Sequence, residues 1–159
     1  MSARSLFKII LFIALLSSFA CKEKLNESRS TTTEDNVQID KPESMLPFGN
    51  PSNAMPGDNA DNYLVVHRSH VLSYNNSRGT LNWVAWRTRR ADLGASRERP
   101  SFETDKSLPP NFKRARHYDY SGSGYQRGHM LPSADRFADA ELNAETFLMT
   151  NIVPQEGDL

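Results

Sequence analysis

The chain has 159 residues, a formal net charge of zero and a single cysteine. This length allows one folded domain at most, and a lone Cys21 excludes a disulfide within the chain. The balanced charge gives no overall attraction for a polyanion, so any binding of that kind must come from a local patch.

Residues 1–21 predict an export signal of the lipoprotein type. Arg4 and Lys8 supply a positive region, and the apolar run 6–20 is shorter than the roughly 20 residues that a membrane span needs. Small residues precede Cys21, as at a bacterial lipoprotein processing site, where the thiol is lipidated and becomes the mature N-terminus. An ordinary secretory peptide is the alternative, because Ser18 stands where Leu is usual. We therefore expect an exported protein, anchored to a membrane on the periplasmic side or at the cell surface, or else secreted.

Residues 22–62 are predicted to be a disordered tether. They are rich in Ser, Thr, Asn, Asp, Glu, Lys and Pro and contain few large apolar side chains. Burial of so little apolar surface cannot offset the entropy lost on ordering. The folded domain is then expected over residues 63–159.

Three short strands are predicted at the start of that domain, over residues 63–67, 71–74 and 80–88. The third has apolar side chains on both faces, which predicts a central strand covered on both sides, with Trp83 and Trp86 in the core. His67 and His70 would point to opposite faces of a strand, so we interpret them as structural residues rather than as a shared metal site.

Residues 87–116 carry nine Lys and Arg residues against four Asp and Glu residues. Such a segment can form a cationic patch that attracts a polyanion with salt-sensitive affinity. On charge alone, a solvated basic loop explains it as well. The lack of periodicity over residues 90–120 predicts a long loop region, where functional side chains often lie.

The tripeptide Arg127-Gly128-His129 follows shortly after the flexible run 121–124. The side chains of Arg127 and His129 suit chemistry on phosphate. A guanidinium can bind a phosphodiester through its fork of donors, and a neutral imidazole can accept a proton from water. The two side chains share one face of a strand only if that strand is regular. By itself the tripeptide is a weak motif.

Residues 134–144 predict a short helix capped by Ser133, and residues 146–153 predict a strand that ends at Pro154. Asn151 lies in that strand. Its amide oxygen could bind Mg²⁺, which prefers oxygen ligands and retains several waters. The ion would act as a Lewis acid on the phosphate and on the leaving oxygen.

Several short motifs follow one another in a fixed order along residues 63–159. They are Tyr74-Asn75, Trp83-Val84-Ala85, Arg99 before Phe102-Glu103-Thr104-Asp105, Arg127-Gly128-His129, Pro132 with Ala134-Asp135-Arg136, Thr146-Phe147, and Thr150-Asn151-Ile152-Val153-Pro154-Gln155. This order resembles the DNA/RNA non-specific endonuclease family, the endonuclease G-like nucleases of the ββα-metal, or His–metal finger, type.

The resemblance implies an α+β, ββα-metal nuclease fold with a central mixed or antiparallel sheet. It implies that His129 is the general base and that Asn151 is the direct ligand of Mg²⁺ or of another divalent cation such as Mn²⁺. Arg127 and, on a looser match, Arg99 would hold the scissile phosphate. Arg136 is a further expected substrate contact, and DNA and RNA are the expected substrates.

The chain departs from the family pattern at two places. Gln126 replaces the usual Asp before Arg127, which removes a charge that could tune the site. The family pattern also continues beyond Leu159 into a helix with an acidic residue near the metal, so we expect the fold to be incomplete at its C-terminus.

The leading functional prediction is a metal-dependent, sugar-nonspecific endonuclease that hydrolyses phosphodiester bonds. One alternative is a truncated, non-catalytic nucleic-acid-binding lipoprotein. Another is an extracytoplasmic interaction module in which the motifs are fortuitous.

Overall fold

The computed structural model describes residues 42–57, 59–95 and 99–157. This part of the chain contains two short α-helices, α1 (Pro42–Met45) and α2 (Ala140–Thr146). Its strands are β1 (Tyr63–Val66), β2 (Val71–Asn75), β3 (Thr80–Ala85), β4 (Tyr125–His129) and β5 (Ile152–Glu156). Short 3₁₀ helices cover Ala60–Asn62, Arg90–Asp92, His117–Tyr120, Ser133–Arg136 and Met149–Asn151. The strands form two antiparallel sheets, which confirms the predicted α+β class.

The first sheet has the strand order β1-β2-β3. Residues 71–74 of β2 are buried on both faces, so β2 is the covered central strand. The prediction that the third strand is central was wrong, because β3 lies at the edge and most of its side chains are only half-buried. Trp83 and Trp86 are likewise half-buried, and their indole N–H groups donate to Ser52 Oγ and Asp135 Oδ2.

One hydrophobic cluster lies against this sheet. Its buried members are Val65, Leu72, Tyr74, Leu81 and Leu108. Tyr63 and Phe112 pack around it with their ring centroids 5.1 Å apart. Burial of this apolar surface is the main force that holds the sheet to the loop after residue 105.

The two histidines at the β1–β2 turn face each other, with ring centroids 4.8 Å apart. The prediction that they point to opposite faces was wrong because the chain turns between them: the His67 N–H donates to the His70 carbonyl oxygen. They are therefore neighbours across a hairpin rather than residues along one strand. His67 Nε2 lies 2.9 Å from Asp105 Oδ2, and His70 Nδ1 lies 2.7 Å from Ser69 Oγ.

The second sheet pairs β4 with β5 over five residues, from Tyr125 opposite Glu156 to His129 opposite Ile152. The prediction of a strand over residues 146–153 was wrong. α2 extends to Thr146, a 3₁₀ helix covers Met149–Asn151, and β5 begins only at Ile152. Pro154 lies inside β5 instead of ending it. A proline is tolerated there because, among the described strands, β5 pairs only with β4 and keeps one free edge.

The single helix predicted over residues 134–144 is two shorter helices, a 3₁₀ turn and then α2. Asp139 separates the two helices. Its carboxylate accepts hydrogen bonds from the N–H groups of Glu141 and Leu142 and so caps the start of α2. Just before it, the Ala138 N–H donates to the Asp92 carbonyl oxygen rather than to a helical partner.

The folded part of the chain begins before Tyr63. Met45 and Ala54 are buried, and Ser52 Oγ donates to the Asn62 side chain. The predicted tether is therefore replaced by folded chain over residues 42–57 and 59–62, while residues 22–41 and residue 58 lie outside the described residues. The predicted signal and Cys21 also lie outside them. No helix among the described residues is long and apolar enough to span a membrane.

Candidate active site

Strand β4 carries Arg127 and His129 on the same face. Its pairing with β5 has no register shift, as the sequence prediction required for these two side chains to lie together. Both approach the ring of Phe102: Arg127 Cζ lies 4.7 Å from its centroid, and the His129 ring centroid lies 5.5 Å from it.

Aromatic side chains surround His129. The Phe147 ring meets the imidazole edge-on at 4.7 Å between centroids, and Phe102 contacts it at a tilt of 50°. His129 Nε2 is buried and has no hydrogen-bond partner among the described residues. Burial, and then the positive charge of Arg99, lower the pKa of His129. The imidazole is therefore neutral at neutral pH and able to accept a proton.

Arg127 is exposed at the edge of an open cleft of about 330 Å³. The 3₁₀ helix at residues 117–120, the turn at residues 121–124 and the first half of β4 line this cleft. Arg127 Nη1 lies 3.5 Å from the His117 carbonyl oxygen, a long hydrogen bond that leaves most of the guanidinium donors available. Gln126, which replaces the expected Asp, is also exposed in this lining.

Arg99 is exposed and close enough to His129 for its charge to affect the imidazole. The structure therefore brings two of the predicted site residues, Arg127 and His129, onto one aromatic ring, and a third, Arg99, acts on His129 through its charge. Two cations beside a neutral imidazole form an arrangement that can bind a phosphodiester and deprotonate a water.

Arg136 does not belong to this group, which corrects its prediction as a substrate contact. The residue is 3% exposed, and its side chain donates to the carbonyl oxygens of Ser69 (2.7 Å) and Arg87 (3.0 Å). Its Nη1 lies 3.8 Å from Asp92 Oδ2. Arg136 thus fastens the β1–β2 turn to the segment after β3 and is not available to a ligand.

Asn151 is fully buried, and main-chain groups occupy both ends of its side chain. Oδ1 accepts a hydrogen bond from the Leu131 N–H (2.8 Å), while Nδ2 donates to the carbonyl oxygens of Leu131 (3.0 Å) and Thr146 (2.8 Å). The oxygen predicted to bind Mg²⁺ instead holds the chain just after His129. The described residues also contain no group of three or more His, Cys, Asp or Glu residues that could hold a metal ion.

Phe102 and Phe147 shape the site most directly, yet the sequence indicated them only as parts of the motif order. Their proximity to His129 depends on long-range packing, so the spacing of residues along the chain contains no sign of it. The useful signal was their place in the motif order, Phe102 shortly after Arg99 and Phe147 shortly before Asn151.

A model of the DNA/RNA non-specific endonuclease family matches residues 48–159. A nuclease from Nostoc sp. (strain PCC 7120) is 52% identical over 114 residues, which cover 71% of this chain and 42% of that nuclease. The human mitochondrial nuclease EXOG is 36% identical over 94 residues, or 58% of this chain and 25% of EXOG.

Among solved structures, a chain of the EndoG/EndoGI complex superposes with a TM-score of 0.58 at 27% identity. The match covers 72% of this chain and 45% of that chain. The protein thus spans less than half the length of these relatives. The extent of the family match, which includes every residue of the candidate site, establishes that this chain belongs to the DNA/RNA non-specific endonuclease family.

Proposed function

We propose that this chain carries the active site of an endonuclease that hydrolyses phosphodiester bonds in both DNA and RNA. The observation that carries the proposal is the placement of His129, whose pKa is lowered by burial and by the charge of Arg99, on the same strand face as Arg127, which lines an open cleft. Membership of the nuclease family supports the same reaction.

In this mechanism His129 is the general base. Because burial and Arg99 disfavour its protonated form, it is ready at neutral pH to take a proton from the water that attacks phosphorus. The aromatic walls formed by Phe102 and Phe147 restrict the ring, so little reorganisation is needed before the proton moves.

Arg127 and Arg99 are proposed to bind the nonbridging oxygens of the scissile phosphate. Attack by water increases the negative charge on these oxygens, and cations already in place stabilise that charge as it develops. Each guanidinium is exposed, so a phosphate can reach it without a rearrangement of the core. Arg136, in contrast, is excluded from this role by its burial.

The substrate strand is proposed to lie along the cleft beside Arg127. Exposed polar groups and glycines dominate the cleft lining, which suits contact with a sugar–phosphate backbone more than reading of base edges. Contact through phosphate rather than through the 2′-position would explain activity on both DNA and RNA.

We also propose, from the family, that cleavage depends on Mg²⁺ or on another divalent cation such as Mn²⁺. The described residues do not fit a resident ion, because the Asn151 oxygen is engaged by the Leu131 N–H and no acidic cluster lies among them. Asn151 is therefore given a structural role, and none of the described residues is assigned as a ligand of the ion.

Nicking of supercoiled plasmid and cleavage of a structured RNA, each with Mg²⁺ and with EDTA, test this function. We expect cleavage of both substrates in Mg²⁺ and a fall of about 10²- to 10⁴-fold in His129→Ala, the range typical of a lost general base. Arg127→Ala should lose rate as well, whereas Arg78→Ala, an exposed arginine in the β2–β3 turn, should behave as wild type. Undiminished cleavage by folded His129→Ala would reject the assigned base.

The second candidate function is nucleic-acid binding without cleavage. It is favoured by one observation, the lack of a cation-binding cluster among the described residues. Salt-sensitive binding of DNA and RNA, with no cleavage in Mg²⁺ or Mn²⁺, would support this candidate over the enzyme. Salt-insensitive binding, or none, would instead support an interaction module outside the cytoplasm.

We propose that the protein is exported and anchored to a membrane by lipid on Cys21. The support is the sequence alone: a positive start, a short apolar run and small residues before the cysteine. Cys21→Ser should move the protein from the membrane fraction to the soluble fraction of a bacterial host and prevent labelling by a radioactive fatty acid. If wild type and variant fractionate alike and neither is labelled, the secreted alternative is favoured.

A further inference from the structure

We propose that Phe102 is a positioning residue of this site, whose ring holds the Arg127 guanidinium and the His129 imidazole in a fixed relation to each other. The inference rests on the proposed function, since it concerns how the phosphate-binding group and the base are aligned.

The ring of Phe102 contacts both side chains at once. Arg127 Cζ stands over it at 4.7 Å from the centroid, inside the range of about 6 Å for a cation–π contact. The His129 ring lies 5.5 Å from the same centroid at an interplanar angle of 50°. This separation is typical of an aromatic pair with a geometric preference.

Phe102 can align these groups because its own place is fixed. Its ring packs at 5.2 Å on Phe147, which is buried. On the main chain, the Glu103 N–H donates to the Phe147 carbonyl oxygen (3.2 Å), and the Met149 N–H donates to the Glu103 carbonyl oxygen (2.8 Å). The segment that carries Phe102 is thus docked on the chain that leads into β5, the strand paired with β4.

Arg127 needs such support more than His129 does. It is a long, exposed side chain, and its one long hydrogen bond to the His117 carbonyl oxygen restrains it weakly. Without the ring, the guanidinium gains rotamer freedom that substrate binding must then remove. A displacement of about 1 Å at a reacting group can lower a rate by about 10²-fold.

The test compares Phe102→Leu with Phe102→Tyr and with Phe112→Leu in the full chain. Leucine preserves apolar packing but lacks a π face, and tyrosine restores the face. Phe112→Leu is the matched control, because Phe112 is also half-buried and contacts aromatic rings, Tyr63 and Tyr74, in the first sheet.

Three readouts are measured: kcat and KM for plasmid nicking, the affinity for a labelled oligonucleotide in EDTA, and the ring-proton NMR resonances of His129, identified by their loss in His129→Ala. Phe102→Leu should lower kcat by about 10- to 100-fold, weaken oligonucleotide binding about threefold to tenfold and shift the His129 resonances. Phe102→Tyr should restore the kinetic constants and the oligonucleotide affinity to within about threefold of wild type and return the His129 resonances toward their wild-type positions. Phe112→Leu should change none of the three readouts in the folded protein.

Equal binding and equal His129 resonances in wild type and Phe102→Leu would overturn the positioning role, whatever the nuclease assay gives. Loss of the same readouts in Phe112→Leu would also overturn it, because the effect would then be a general loss of packing. An inactive wild type would count against the proposed nuclease, while the binding and NMR measurements would still decide the role of Phe102.

Discussion

At the scale of single residues, chemistry depends on surroundings that residue type does not specify. Arg127 and His129 were predictable, because an arginine and a histidine two positions apart on a regular strand share a face. Asn151 and Arg136 were equally visible in the sequence, yet both are buried and bonded to the main chain. An amide or a guanidinium can bind either a ligand or a main-chain carbonyl oxygen. Burial of the side chain decides between a ligand-binding and a structural role, and burial follows from tertiary packing.

Asn151 gives a prediction that separates a structural role from a metal ligand. Asn151→Ala would leave an N–H and two carbonyl oxygens without their partner, so we expect a loss of about 2–4 kcal/mol in the free energy of unfolding. Asn151→Asp should destabilise at least as much, because a carboxylate oxygen would replace the donor that faces the Leu131 and Thr146 oxygens. Urea unfolding measures both variants.

The control for Asn151 is Asn111, an exposed asparagine whose substitution by Ala or Asp should alter stability by about 0.5 kcal/mol or less. Mg²⁺ should not rescue Asn151→Asp. If that variant were as stable as wild type and bound Mg²⁺ more tightly, Asn151 would be a metal ligand after all, since a carboxylate is a better ligand for this ion.

At the scale of elements, β1, β2 and β3 could be located from β-branched and aromatic composition and from the turn at residues 75–79. Their order in the sheet could not, because apolar character on both faces does not distinguish a central strand from a half-buried edge. The region after His129 was predicted least well. There the Asp139 side chain caps the start of α2, and β5 continues beyond Pro154 because it pairs with β4.

Gly128 lies between the two candidate catalytic side chains and faces Val153 of β5. A methyl group there would meet Gln155 Oε1 at 2.6 Å and Gln155 Cβ at 2.9 Å, too close for the pairing to remain unchanged. We expect Gly128→Ala to cost about 1–3 kcal/mol of stability, measured by urea unfolding, and to lower nicking activity.

Gly157→Ala is the matched control for Gly128, because its added methyl group would meet Gln126 Nε2 only at an ordinary 3.6 Å. Its stability should change by about 0.5 kcal/mol or less. Two variants of equal stability and activity would show that β4 and β5 adapt to the added methyl group.

At the scale of the whole described fold, Asp105 links the two sheets. Its carboxylate is within hydrogen-bonding distance of His67 at the β1–β2 turn, and it accepts from the hydroxyls of Ser107 and of Thr150, which precedes β5. Burial opposes its ionisation, but these hydrogen bonds outweigh burial and lower the pKa of Asp105. This link could not be predicted from sequence patterns, since His67 and Thr150 lie 38 and 45 positions away from Asp105.

His70, buried beside this link, should make the protein sensitive to acid. Burial first, and then the nearby charges of His67 and Arg136, hold its pKa well below the ordinary value, although Asp105 acts in the opposite direction. Below about pH 6.5, His70 therefore binds a proton in the unfolded chain but not in the folded chain. The free energy of unfolding then falls by up to about 1.4 kcal/mol per pH unit as the pH decreases. The contribution of Asp105 is full above about pH 4 and is lost only at lower pH, so it does not produce this slope.

Urea unfolding at pH 7.5 and at pH 5 measures the acid effect. The fall in unfolding free energy should be smaller in His70→Asn than in wild type, and unchanged in His117→Asn, where the histidine is exposed. Identical pH dependence in wild type and His70→Asn would assign the acid sensitivity to other groups.

His129 is proposed to act on the chemical step, and single-turnover cleavage of a labelled DNA duplex by saturating protein in Mg²⁺ measures that step alone. Saturation removes differences in binding from the measured rate constant. We predict that His129→Gln cleaves about 10²- to 10⁴-fold more slowly than wild type while its Kd for DNA stays within about threefold. A folded His129→Gln that binds DNA and cleaves it at the wild-type rate would contradict the role of His129 as the general base.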